Sequence, residues 1–154
     1  MASSPAAANE LYDTYFAKRG TACYARGYNA AHLQQHPKQK VQRIELAFRR
    51  GPKSAASAFE AGLGLVAKGQ TVRFARTAYC SAEGSGVLCK LESDGGTFRL
   101  APAPGGALTL EVTGDGLRME GAAGFIEVGG KFSDDNRFIL SPMGWQVCRV
   151  ARSH

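Results

Sequence analysis

From residue 41 onward the chain alternates apolar and polar positions with period two. In VQRIELAFRR (41–50), Ile44, Leu46 and Phe48 share one face of an extended chain, and Arg43, Glu45 and Arg49 share the other. TVRFARTAYC (71–80) places Val72, Phe74, Ala78 and Cys80 together, with Arg76 intruding among them. GVLCKLES (86–93) turns Val87, Cys89 and Leu91 inward and Lys90 and Glu92 outward. Further short segments with strand composition follow: TFRLA, ALTLEVT, GLRMEG, GFIEVG, RFILS and WQVCRV. They are separated by DGG, APAPGG, GDG, AAG and SDDN, which is turn chemistry. Short strands at such spacing predict a mainly β fold, a small antiparallel barrel or sandwich of about eight strands.

Helical signals are confined to the N-terminal part. Ser4 as cap, Pro5 in the first turn and Gly20 as stop predict a short helix, whose apolar stripe is Leu11, Tyr12, Tyr15 and Phe16. NAAHLQQHP (29–37) predicts a second, capped by Asn29 and ended before Pro37. Residues 54–60 suggest a helical turn, and LGLVAKGQ (63–70) a strand. The organisation expected is a tail and short helix over 1–20 and a single antiparallel β domain over 21–154.

Cysteine spacing sharpens this picture. If CSAEGSGVLC (80–89) is a hairpin turning at Gly84-Ser85, Glu83 faces Gly86, Ala82 faces Val87, Ser81 faces Leu88, and Cys80 faces Cys89. Counting outward from the turn puts the cysteines at a non-hydrogen-bonded position, where side chains approach most closely and a cross-strand disulfide fits. Cys23 and Cys148 form the second expected pair, closing nearly the whole chain. Such a stapled framework predicts an oxidising compartment, periplasmic or secreted. ASSPAAANE (2–10) reads as the small-residue stub left after signal cleavage. No run of about 20 apolar residues is present.

Charge is unevenly distributed. The net charge is +6, and residues 26–53 carry seven bases against the single acid Glu45, an excess as large as the whole balance. Such a segment attracts an anionic ligand, a polymer or an acidic protein surface. Arg43, Arg49 and Arg50 are the candidate contacts. Arg76, sent by alternation toward an apolar interior, requires a partner and is a further candidate; Trp145, the only tryptophan, is a candidate anchor.

Catalytic chemistry is poorly represented. His32 and His36 stand at i,i+4, a spacing that suits two metal ligands on one helix face, but no glutamate follows His32 in the metalloprotease manner. GSG around Ser85 is not a nucleophile elbow. Asp134, Asp135, Glu120 and Glu127 carry no spacing that marks an acid–base pair. No phosphate-binding glycine loop, dinucleotide fingerprint or calcium loop occurs. No catalytic, cofactor or metal residues are assigned.

The function expected is a non-catalytic periplasmic or secreted binding module for an anionic ligand or polymer. Two alternatives stand beside it: an inhibitor of a secreted hydrolase, and a metal-dependent enzyme using His32 and His36. The general outline is similar to that of small periplasmic lysozyme inhibitors, although a basic segment repels a basic lysozyme unless contact lies elsewhere. Nucleic acid is not the expected partner, since an oxidised extracytoplasmic chain seldom meets it.

Overall fold

The computed structural model describes residues 21–49, 58–69, 72–83 and 86–152. Eight strands close into an antiparallel barrel in the order β1 (Thr21–Gly27), β10 (Arg137–Met143), β7 (Leu108–Thr113), β6 (Thr97–Pro102), β5 (Gly86–Leu91), β4 (Arg73–Glu83), β3 (Ala58–Ala67) and β2 (Val41–Arg49). The remaining two, β8 (Leu117–Gly121) and β9 (Gly124–Val128), form a separate hairpin between β7 and β10. Of the architectures expected from the pattern, a barrel is found and not a sandwich. The helix expected over residues 4–19 and most of the helical turn expected over 54–60 lie outside the described residues; Ala58, Phe59 and Glu60 belong to β3.

Inward-facing side chains fill the barrel. Phe48, Phe98, Phe138, Ile44, Leu46, Leu63, Leu65, Leu100, Leu108 and Leu110 are all buried to below 2% exposure, as the interior of an eight-stranded barrel allows. The register read for the central hairpin holds at every described pair: Glu83 with Gly86, Ala82 with Val87, Ser81 with Leu88 and Cys80 with Cys89. The Cys80–Cys89 disulfide, with a Cα–Cα distance of 4.0 Å, lies within the core. The turn residues Gly84 and Ser85 are outside the described residues.

Strand direction alternates, so the β1–β2, β3–β4 and β5–β6 connections and the long β7–β10 excursion gather at one end of the barrel. Helix α1 (Ala30–Gln35) sits there, started by the Asn29 side chain, whose Oδ1 accepts from the His32 N–H at 2.8 Å. The β8–β9 hairpin plugs the same end, contributing Leu117, Met119 and Val128 to the core. Its β8 edge is held by the Arg118 N–H donating to the Gly95 carbonyl at 2.8 Å.

Two segments depart from the sequence expectation. TACYARG forms β1, although no strand was expected there. WQVCRV is not a strand: Trp145–Val147 form a 3-10 turn and Arg149–Arg152 the short helix α2. The physical reason is that both edges of β1 are already occupied, by β2 and β10. The chain after β10 therefore has no edge to join and lies as a strap over the outer face of β1, β2 and β3. There the Cys23–Cys148 disulfide tethers it, with Ala47 and Ala151 packed around the sulfurs. Gly64 permits the close approach, since a Cβ at that position would stand 2.5 Å from the Ala151 nitrogen.

Candidate functional site

The sequence-selected cations divide between the strap, the plug and the far end of β2. Arg43 Nε donates to Glu45 at 2.8 Å, and Nη2 reaches the Val147 carbonyl at 3.5 Å, so this side chain helps to hold the strap. Trp145 belongs to the strap itself. It is half-buried beside the Cys23–Cys148 cluster, with the Arg152 guanidinium 5.5 Å from its ring centroid. Arg76 is buried beneath the plug. Nη2 donates to the Glu92 carbonyl at 2.6 Å and Nη1 to the Arg118 carbonyl at 3.4 Å; Glu120 lies 3.5 Å and Glu92 3.9 Å from the guanidinium. Arg49 ends β2 in register with Glu60, and Arg50 is outside the described residues. Arg43 and Trp145 thus both serve the strap, each at its own contact, and Arg76 is placed elsewhere.

A concave surface opens instead at the α1 end. A cleft of about 520 Å³ is lined by Tyr28, Ala30, Leu33, Gln34, Pro37, Gln42, Lys68 and Gly69. Three pieces of chain build it: the β1–β2 connection with α1, the start of β2, and the β3–β4 turn. The lysine that begins this turn is fixed by its backbone, the Lys68 N–H donating to the Lys40 carbonyl at 2.7 Å. Lys68 Nζ extends toward the Pro37 carbonyl at 3.4 Å. Gln42 Oε1 accepts from the Gly69 N–H at 3.3 Å, which orients the side-chain amide; its NH₂ can donate to a ligand, and the oxygen keeps a second lone pair.

Behind the cleft a polar cluster fixes α1 against the barrel. The buried Gln39 donates through Nε2 to the Val41 carbonyl at 2.8 Å, so its Oε1, 3.0 Å from His32 Nε2, acts as acceptor. His32 therefore carries a proton on Nε2, and that nitrogen is engaged in the fold rather than open to a metal. The His32 ring lies 4.6 Å from the Tyr28 ring and 4.3 Å from that of His36. Burial pushes the Tyr28 phenol above its ordinary pKa, opposed by the neighbouring Arg26 charge and reinforced by that of Asp135, so Tyr28 is a neutral hydroxyl at physiological pH.

Asp135 is fully buried and accepts from the N–H groups of Lys40 at 2.6 Å and Val41 at 3.3 Å. Ser133 Oγ stands 3.4 Å away. Burial raises the Asp135 pKa, with these hydrogen bonds and the Lys40 charge working in the opposite direction. This carboxylate ties the loop before β10 to the start of β2. Among the described residues no group of three or more His, Cys, Asp or Glu is arranged to hold a metal ion.

Nothing in the sequence marked these residues as one site. Pro37 and Leu33 read as ordinary helix features, and nothing in the local pattern connects residues 28–42 with Lys68 and Gly69. No known family model, curated protein or solved structure matches the chain.

Proposed function

We propose that this protein is a non-catalytic binding module of the periplasm or cell exterior, and that it takes its ligand at the α1 end of the barrel rather than inside it. The cleft carries this reading. Its volume, about 520 Å³, is in the range of small-molecule sites, and its floor is apolar. No carboxylate, histidine, cysteine or serine is among its described lining residues, so it offers little to acid–base or nucleophilic chemistry. Two further observations support the reading. The barrel interior is occupied by side chains. Two of the cations that alternation brought into view, Arg43 and Arg76, are engaged in holding strap and plug. The two disulfides agree with an oxidising extracytoplasmic setting.

Native mass spectrometry tests the reading. The oxidised protein, incubated with a small-molecule extract of the host's extracytoplasmic fluid, is expected to acquire a stoichiometric adduct. Ala30→Trp, which places a bulky ring at an exposed position of the cleft wall, is expected to lack that adduct while keeping the wild-type circular dichroism. An adduct equally retained by this variant, or none on the wild type, counts against the cleft.

A further inference from the structure

From the groups on the cleft rim we infer the ligand's chemistry: an amphipathic anion, with an apolar chain or ring on the floor and a carboxylate-like head at Lys68 and Gln42. The inference rests on the cleft being the binding site, and it is carried by which hydrogen-bonding groups remain for a ligand.

The floor consists of Tyr28, Ala30, Leu33 and Pro37, surfaces that favour an apolar body by exclusion of water. The rim is donor-rich. Lys68 contributes an ammonium with three donors, of which the Pro37 carbonyl at 3.4 Å engages at most one. Gln42, whose oxygen accepts from the Gly69 N–H, has its NH₂ as a donor. Acceptors that would welcome a cationic head are scarce. Asp135, the buried carboxylate behind the cleft, is occupied by the Lys40 and Val41 N–H groups. Glu127 is not among the lining residues, and its carbonyl receives Lys40 Nζ at 3.0 Å. A cation beside unengaged donors selects a head group that accepts several charge-assisted hydrogen bonds, which a carboxylate does and an alcohol or ammonium does not. The side-chain acceptors that the lining can offer, on Gln34, Gln42 and Tyr28, are all neutral and impose no charge opposed to an anionic head.

Octanoate, octanol and octylammonium share a chain and differ in the head, and together they decide the matter. Each is titrated into the oxidised, isotope-labelled full chain and followed by amide NMR. Octanoate is expected to shift Tyr28, Leu33, Gln42 and Lys68 saturably and to bind most tightly. Lys68→Glu is expected to weaken it by about tenfold or more, as loss of a charge-assisted contact requires, with little effect on octanol. Octanol binding as tightly as octanoate, or octylammonium binding more tightly, overturns the assignment of the head group while leaving the cleft as the binding site. Shifts confined to other surfaces, or none with any probe, overturn the cleft as well. An unchanged octanoate affinity in Lys68→Glu also overturns the inference, because that side chain is exposed and its replacement leaves the core intact.

Discussion

Glu45 illustrates how a single residue converts sequence alternation into tertiary structure. Alternation places it on the outer face of β2, where a carboxylate would ordinarily meet water, yet the side chain is only 3% exposed. Its Oε1 accepts from the N–H groups of Val150 and Ala151 at 2.9 and 3.1 Å, and its Oε2 from Arg43 Nε. The buried negative charge thus meets two backbone donors and a cation, and the strap acquires a fixed docking point. Glu45→Ala is expected to lower unfolding free energy by about 2–4 kcal/mol, since bonds to a buried charged acceptor contribute about 1.5–3 kcal/mol each before relaxation. Glu45→Gln, which keeps one acceptor oxygen, is expected to cost about half as much. Urea unfolding of the oxidised proteins measures both, and a loss below about 0.5 kcal/mol in Glu45→Ala would mean that the strap is held without this carboxylate. Asp135 is a second buried carboxylate. Burial raises its pKa, so the folded chain retains the proton to higher pH than the unfolded chain does. The stability added by its protonation is fully present below the ordinary Asp value of about 3.9, declines as pH rises toward the elevated folded value, and is lost above it. Compared with Asp135→Asn, the wild type is therefore expected to gain relative stability as pH falls through that window. Paired unfolding curves across the acid range check this, and a wild type that instead loses relative stability there reverses the sign of the argument.

At the scale of elements, legibility follows the range of the interactions that decide each structure. The hairpin of β4 and β5 was readable because a two-residue turn sets its register locally, and the cysteines then fall opposite one another without reference to the rest of the chain. Helix α1 was readable for the same reason, its start depending on Asn29 and the N–H of His32 three residues later. WQVCRV carries the composition of a strand, but its conformation is decided by distant groups: the disulfide to Cys23, the carboxylate of Glu45, and the space left by Gly64. β1 was obscured because both its faces are covered. Tyr24 faces the core while Cys23 and Ala25 on the other side are also buried, so no polar alternation marks the segment. The cleft was least legible of all. Its walls come from α1, β2 and the β3–β4 turn, and donor availability at Gln42 depends on Gly69, 27 residues away. Arg76 shows the intermediate case: alternation revealed that it needed partners, but their identity, in β8 and the β5–β6 turn, required the plug to be in place.

For the molecule as a whole, the shortest strand pairing among the described residues is the β1–β10 seam, with β10–β7 and β5–β6 one pair longer. β1 and β10 meet through only three registered pairs, Cys23 with Met143, Tyr24 with Pro142 and Ala25 with Ser141, and Pro142 has no N–H to donate. By contrast β3 and β4 pair continuously over nine positions. Arg26 partly extends the seam by donating from Nη1 to the Ile139 carbonyl at 3.5 Å. The strap leaves β10 at this place and crosses to β2 and β3, so the Cys23–Cys148 bond joins β1 covalently to the chain that follows its weak neighbour. It also closes a loop of 125 residues, against 9 for Cys80–Cys89. On chain entropy these correspond to about 5 and about 3 kcal/mol. Replacing Cys23 and Cys148 by serine is therefore expected to act unevenly, with hydrogen exchange accelerating first at Tyr24, Ala25 and Ser141 and least within β4 and β5, where the other disulfide remains. Replacing Cys80 and Cys89 is expected to cost less and to leave protection at the seam in place. Acceleration of equal size around the whole barrel in the Cys23/Cys148 variant would show that the strap stabilises only by restricting the unfolded chain, and that the seam does not open ahead of the other strand pairs.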